Sequence, residues 1–445
     1  MLLYCFSLLY AVAEPVKMSL VDSIQRLSTE NPELQIARLQ TDISNTQRLQ
    51  TISNAIPMLQ ATGTWLDYGT PLDVYLMGDG AQDVDCTSFE SFGFGDLCNS
   101  FSQPLRLRED SIFDGKAQVV VPLSSLYSII QGYNAQSHLH TVSELQEQAL
   151  TQKLTIQLIE LYTKALEIDE NILVIEKTIA RLQKHQQSIS ALVEVGMLHS
   201  VEKKRIEYAI HQASAGKKQA QQGYSLLCEQ IALLIGLEEG ITPVPITENP
   251  KEATTEFILE NNIAYQITEQ QLYASRSAIK ASVGELIPSV VLMGVTTKTS
   301  GQGPMTPTSQ QYIGLSVQGN FQWGQKILGV QQKRLQYQIL STALESQQKG
   351  LQLQQQAALH SWQQSKEQIQ LAKELLDISR IAKDQQTLLF QEQQITVSDV
   401  LEAETALAQA ELAFIQAQLH SIVELAKYQQ VLGIDILSVS AIPSN

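Results

Sequence analysis

The chain has 445 residues, with 23 Gly, 13 Pro and 6% aromatic residues, a composition thin for several compact cores and suited to an elongated helical protein. Its formal charge of -16 excludes a nucleic-acid binder, whose phosphate contacts need clustered Lys and Arg. No run of 18 apolar residues occurs, which excludes a helical membrane span.

Residues 2–12 (LLYCFSLLYAV) are apolar and end at Ala11-Val12-Ala13, the pattern of a signal peptide over 1–13 cut before Glu14. A buried N-terminal strand is the other reading of that stretch. Tyr4 before Cys5 is too bulky for a lipoprotein cleavage site, so no lipid anchor is expected. A helix is predicted from 18 to 55. After Ile56-Pro57 the pattern turns to period two, with Leu59, Ala61, Gly63 and Trp65 alternating with Gln60, Thr62 and Thr64, which predicts a strand over 57–68. A turn-rich external loop over 67–111 follows and carries Cys86 and Cys98, which could pair in an oxidising compartment. Phe113, Gly115, Ala117, Val119 and Val121 alternate with polar residues and predict a second strand over 112–122. A long helix over 123–195 and a shorter one over 200–237 complete a first repeat, 14–245. Cys228, inside a helical pattern, reads as a small buried apolar residue.

The second repeat, 246–445, follows the same plan. Asn31 and Pro57 recur as Asn262 and Pro288, 231 positions on, and Gly132, Gly236 and Leu237 recur as Gly329, Gly433 and Ile434, 197 positions on. The difference places 34 extra residues in the first repeat, within its loop. The predicted elements are a helix over 253–286, strands over 288–298 and 311–321, a long helix over 321–392 and a helix over 397–434. Leu154, Leu158, Leu161, Ala165, Ile168, Ile172, Ile175, Ile179 and Leu182 alternate spacings of four and three, a heptad seam. Ala358, Trp362, Ser365, Ile369, Ala372, Leu376 and Ser379 repeat it with smaller residues. In each repeat two shorter helices sum to the length of the long one, about 110 Å, so each reads as an elongated hairpin. Four strands of about ten residues suit tilted membrane strands, yet four cannot close a barrel and open edges are not tolerated in lipid. Three copies would share 12 strands. The fold class expected is therefore mainly α with a small β part, trimerising into a 12-stranded barrel continued by a helical barrel. Trp65, Tyr68, Tyr312 and Trp323 fall at strand ends, where an aromatic girdle would place them.

The order of these signals resembles the TolC-like outer-membrane efflux family over nearly the whole mature chain. The resemblance rests on Asn31-Pro32, on Ile-Pro opening a strand, on Val121-Pro122-Leu123 between strand and long helix, and on Val195-Gly196-Met197-Leu198 at a hairpin tip. It implies a homotrimer in outer-membrane lipid whose helical part stands in the periplasm. It also implies that the tips, Gly196, Met197 and Leu198 with Gln393, Gln394 and Ile395, dock on a periplasmic adaptor (membrane fusion protein) that links to an inner-membrane transporter. The family's second tip carries a glycine and an acidic pair that rings the closed entrance. Here the matching positions are Gln393, in place of the glycine, and Asp399 and Glu402, which stand three apart on one helical face. Two solvated surface acids are the plainer reading of that pair.

Chemistry-bearing patterns are sparse. His138 and His140 lack further ligands at metal-site spacing, and Gly78-Asp79-Gly80 and Gly301-Gln302-Gly303 lack the context of a phosphate or dinucleotide loop. No nucleophile and base stand together, so neither an enzyme nor a cofactor is expected. The competing readings are a coiled-coil scaffold, which needs no amphipathic strands, and the periplasmic adaptor itself, which normally has one helical hairpin and not two.

Overall fold

The computed structural model describes residues 16–75, 85–90, 92–102, 104–238, 240–246, 257–303, 306–319 and 323–434; the expected signal peptide over 1–13 lies outside the described residues. In chain order the elements are β1 (Val16–Met18), α1 (Leu20–Glu30), α2 (Pro32–Ser53), β2 (Met58–Asp67), β3 (Leu72–Val74), α3 (Thr87–Glu90), α4 (Gly95–Ser102), β4 (Leu105–Pro122), α5 (Leu126–Glu194), α6 (Ser200–Leu234), β5 (Ile241–Pro243), α7 (Ile263–Gly284), β6 (Ser289–Gln302), β7 (Ser309–Gln318), α8 (Trp323–Gln391) and α9 (Val397–Val431). Lengths recur: α5 and α8 are each 69 residues, α6 and α9 each 35, α2 and α7 each 22. Contacts divide the chain into two units, residues 45–139 with 272–339, and residues 1–44 with 140–271 and 340–445.

The second of these units is helical apart from the short parallel pair β1 and β5. Its largest core joins Ile24 and Leu27 of α1, Leu34 of α2, Leu154, Leu158 and Ala165 of the α5 seam, Ile231 of α6, Ile241 of β5 and Val423 of α9. Tyr162 fixes the strand pair to that core. Its ring is fully buried, and its hydroxyl lies 2.9 Å from the Met18 carbonyl and 2.8 Å from the Val244 carbonyl while accepting from the Val244 N–H at 2.7 Å. Burial pushes its pKa up to about 12, so it stays a hydrogen-bond donor.

The helix expected over 18–55 is two helices, α1 and α2, divided at Asn31. Pro32 has no N–H to offer and suits the first position of α2, and the Asn31 side chain caps that helix by accepting from the Leu34 N–H at 3.0 Å. The buried Asn31 amide also donates to the Leu234 carbonyl at the end of α6, at 2.7 Å. Gly236 turns the chain there with φ 69°, and a Cβ at that position would lie 2.9 Å from the Glu30 carbonyl oxygen. The same joint occurs a second time. Asn262 accepts from the Ala264 N–H at 3.0 Å and donates to the Val431 carbonyl at 3.1 Å, and Gly433, φ 73°, sits against Asn261 where a Cβ would be 2.3 Å from its oxygen. Accordingly the helix expected over 253–286 is α7, preceded by a single 3-10 turn at Leu259–Asn261; residues 253–256 lie outside the described residues.

The other unit holds a sheet in the order β2-β4-β6-β7, antiparallel throughout, with β3 pairing the start of β4. Part of the stretch expected as loop is therefore ordered ribbon, and the strand expected over 112–122 begins at Leu105. The sequence partly conceals this, because Leu105-Arg106-Leu107-Arg108 alternates but Glu109, Asp110 and Ser111 break the pattern before Ile112. What holds the ribbon is polar: Arg106 pairs with Asp73 at 3.1 Å, and the Arg108 guanidinium stacks 3.6 Å above the Tyr68 ring.

Candidate functional sites: an amphipathic sheet and the hairpin tips

Residues paired across an antiparallel ladder share a face, and the face alternates along each strand. The observed register therefore gathers Leu59, Ala61, Gly63 and Trp65 of β2 with Phe113, Gly115, Ala117 and Val119 of β4, Leu292 and Gly294 of β6, and Ile313, Leu315 and Val317 of β7. Thr296, Lys298 and Ser300 of β6 and Gln311 of β7 also stand on this face, and its apolar residues are uncovered: Leu59 is 72% exposed, Ile313 82%, Leu315 68% and Val317 68%. The opposite face carries Gln60, Thr62, Thr64, Asp114, Lys116, Gln118, Thr297, Thr299 and Ser316, with Met58, Val120, Val291, Met293 and Val295 among them. There Gln118 hydrogen-bonds Gln60, and the Thr299 hydroxyl donates to Asp114 at 2.8 Å. The two outer strands, β2 and β7, are each ten residues long and each paired on one side only. Of the expected aromatic girdle, Trp65 stands on the first of these faces, Tyr68 just beyond β2 beneath Arg108, and Tyr312 on the other face, paired with Val295. The Trp323 side chain lies outside the described residues.

Between β3 and β4, Cys86 and Cys98 are joined by a disulfide, S–S 2.08 Å, with Phe92, Phe94 and Leu97 exposed around it. Cys228 is a buried free thiol, and burial raises its pKa.

The two hairpin tips are built alike. After α5 the chain turns through Gly196, φ 79°, and the Met197 N–H reaches back to the Leu192 carbonyl at 2.8 Å. After α8 it turns through Gln393, φ 60°, and the Gln394 N–H reaches the Leu389 carbonyl at 2.9 Å. Gln393 thus performs the turn that the glycine performs in the first tip, in a left-handed conformation that L side chains resist. Ile189, Ile206, Phe390, Val397 and Val400 form a core beneath both turns, with Leu198 and Ile395 packed on it, while Met197, Gln393 and Gln394 are exposed. Replacing Gln393 by Gly removes a left-handed penalty of about 1–2 kcal/mol and adds a chain-entropy cost of about 0.5–1. A net gain of up to about 1 kcal/mol is expected, and Gly196→Ala should lose about as much. Thermal melts of the two variants check both signs.

Asp399 has a local task. Its carboxylate accepts from the Thr396 backbone N–H at 2.8 Å and from the Thr396 hydroxyl at 2.7 Å, while that hydroxyl accepts from the Asp399 N–H at 3.4 Å, a reciprocal cap at the start of α9. The Thr396 hydroxyl, and then its backbone N–H, hold the carboxyl below its ordinary range. Glu402, one turn on, is exposed.

Sequence reading missed the most enclosed charge among the described residues, Glu404, and its partners. Glu404 of α9 is 1% exposed, accepts from Arg181 Nε of α5 at 2.6 Å, and lies 3.2 Å from His185 Nε2. Burial pushes its pKa up, but His185 and Arg181 together outweigh that, and its carboxyl is held below the ordinary value. Arg181 also faces Glu411 at 3.7 Å. A signal was present: Val397, Val400, Glu404, Leu407 and Glu411 follow each other at alternating spacings of three and four, so both acids stand in an apolar seam.

No family model and no curated protein matches this sequence. Solved structures do. The chain is similar to CusC, whose crystal structures concern transmembrane channel formation, with a TM-score of 0.78 at 14% identity over 95% of this chain and 93% of that one. It is similar to the outer membrane protein VceC of Vibrio cholerae, with a TM-score of 0.72 at 13% identity over 93% of this chain and 96% of that one. It is also similar to the Campylobacter jejuni CmeC outer membrane channel, with a TM-score of 0.75 at 12% identity over 93% and 85%. The fold is therefore that of the outer-membrane channel proteins, and the resemblance read from the sequence is a likeness of fold along nearly all of the chain.

Proposed function

We propose that this chain is one protomer of a homotrimeric outer-membrane channel, the exit duct of a tripartite efflux or type I secretion system, a passive conduit with no catalytic role. One observation carries the reading: an antiparallel sheet whose apolar residues on one face are uncovered and whose two outer strands each leave one edge unpaired. Backbone groups at a free edge cannot be left unbonded in hydrocarbon, so such a sheet needs the edges of other copies. Ten-residue edge strands match a tilted membrane crossing, and joining the β2 edge of one copy to the β7 edge of the next closes 12 strands with the apolar face toward lipid. The shared fold with outer-membrane channels supports the same location, with the helical part in the periplasm. A detergent-extracted mass three times that of the chain is the expected result; a stable monomer in detergent would remove the proposal.

In this reading the tips at Gly196, Met197 and Leu198 and at Gln393, Gln394 and Ile395 meet a periplasmic adaptor, which links to an inner-membrane transporter. Three copies would bring Asp399 and Glu402 around one axis as a cation-attracting ring. Because Asp399 also caps α9, the two acids separate experimentally. Glu402→Gln should lower cation selectivity in planar-bilayer recordings without loss of stability, whereas Asp399→Asn should also cost about 1 kcal/mol through the cap. Unchanged selectivity in both variants would make them ordinary surface acids.

A further inference from the structure

The Arg181, His185, Glu404 and Glu411 cluster has a charge imbalance that its surroundings make consequential. Glu404 lies between two apolar groups, Ile189, Phe390, Val397 and Val400 on one side and Leu376, Leu407 and Ala410 on the other. Water does not reach its carboxylate, and the ionisable groups acting on it are Arg181 and His185, both of α5. With a neutral imidazole, one guanidinium stands against two carboxylates. With a protonated imidazole the four groups sum to zero. The α5 and α9 helices also meet farther along through Lys427 with Glu160 at 3.0 Å and Gln416 with Glu167 at 2.7 Å, so the pairing runs antiparallel and its sign reverses toward the tips. The tip end includes the part-buried imidazole of His185, a group that can gain or lose charge, while His420 of α9 at the other end is exposed.

We propose that His185 is a proton-operated clamp between the two hairpins: taking up a proton, it completes the charge balance around Glu404 and holds the start of α9, and hence the second tip, more firmly on α5. The clamp tightens when the imidazole carries a proton and slackens when it is neutral. In the channel reading, on which this last consequence rests, acid makes the periplasmic entrance open less often. The Asp399 and Glu402 ring alone would act in the same direction, since protonating carboxylates that crowd one another in a closed entrance relieves repulsion, so exchange within α9 and not opening alone identifies the clamp.

The test follows amide exchange in α9 and channel opening in parallel, on the full-length protein in detergent or lipid, between pH 5.5 and 8. After correction for intrinsic exchange, residues 397–411 of the parent should be protected about fivefold more at the lower pH, the size of one hydrogen bond made charge-assisted. His185→Gln keeps a donor for Glu404 but cannot charge, and should abolish that pH dependence while leaving protection near the parent's pH 8 level. Glu404→Gln removes the charge the imidazole answers and should abolish it as well. If His185→Gln shows the parent's pH profile, the clamp is wrong. Should His185→Gln fail to fold, Glu404→Gln decides by the same criterion. The exchange measurement does not depend on conduction: if no current is ever recorded the channel reading fails, while the exchange profiles still judge the clamp.

Discussion

Lysine at position 315 is expected to stop this protein from assembling in membranes, while lysine one residue later, at 316, is expected to be tolerated. Leu315 is 68% exposed in the middle of β7, opposite Leu292 and flanked on its face by Ile313 and Val317. Ser316 is on the other face, opposite Val291. If that apolar face meets lipid, an ammonium near the bilayer midplane costs about 2–4 kcal/mol per strand, and three copies incur it together. The lumen side is wet, so the Ser316 variant should stay within about 0.5 kcal/mol of the parent, as most surface changes do. Urea titration of protein reconstituted in lipid vesicles, with trimer recovery on a gel, reads both variants at once. Equal recovery would mean that the apolar face is not the lipid face.

Arg181→Met is expected to be the most destabilising single change in the helical unit, by about 3–5 kcal/mol, the usual consequence of removing one partner from a buried ion pair. The loss comes from what stays behind, a carboxylate that is 1% exposed and has only His185 left to answer it. The dependence on pH has a definite sign. In the parent, the Glu404 carboxyl is held below its ordinary value of 4.5, so its contribution is complete above that value and is lost as pH falls through the lowered one. Without Arg181, burial dominates and the carboxyl titrates higher, so acid relieves the variant before it harms the parent. The gap in melting temperature should therefore narrow between pH 7 and pH 4.5. Adding Glu404→Leu to Arg181→Met should recover most of the loss, since an apolar pair of similar size needs no counter-charge. A single mutant that melts with the parent at both pH values would show that Glu404 is reached by solvent.

Much of the architecture was legible in the chain because it is carried by periodicity. Alternating spacings of three and four marked the seam from Leu154 to Leu182, and alternation of two marked β2, β4 and β7. The repeated Asn31 and Asn262, with Gly236 and Gly433, were visible as a spacing before their task was known. In three dimensions they form the same joint twice, a capping side chain that also holds the end of another helix, beside a glycine turn with no room for a Cβ. The break at Asn31 was legible too, since proline at the first position of a helix follows a cap, but the periodicity on either side concealed it. The early part of β4 was hidden for another reason: Leu105 to Arg108 alternate, but the polar run Glu109-Asp110-Ser111 separates them from the apolar alternation that follows, and Asp73 and Tyr68 hold the ribbon there.

The sequence by itself determined the lengths of the hairpin helices α5, α6, α8 and α9, the amphipathic strands, the tip turns and the cysteine pair close in the chain, all of which depend on neighbours within a few residues or on a repeated period. Only the three-dimensional structure decided which faces those strands share, that Gln393 takes a glycine's conformation, and that Arg181 and His185 meet Glu404. Those last partners stand 223 and 219 positions apart. No local pattern encodes such a meeting, since it depends on the register in which two long helices pack. An acid in an apolar seam announces that it needs a counter-charge, and only the packing tells which cation supplies it.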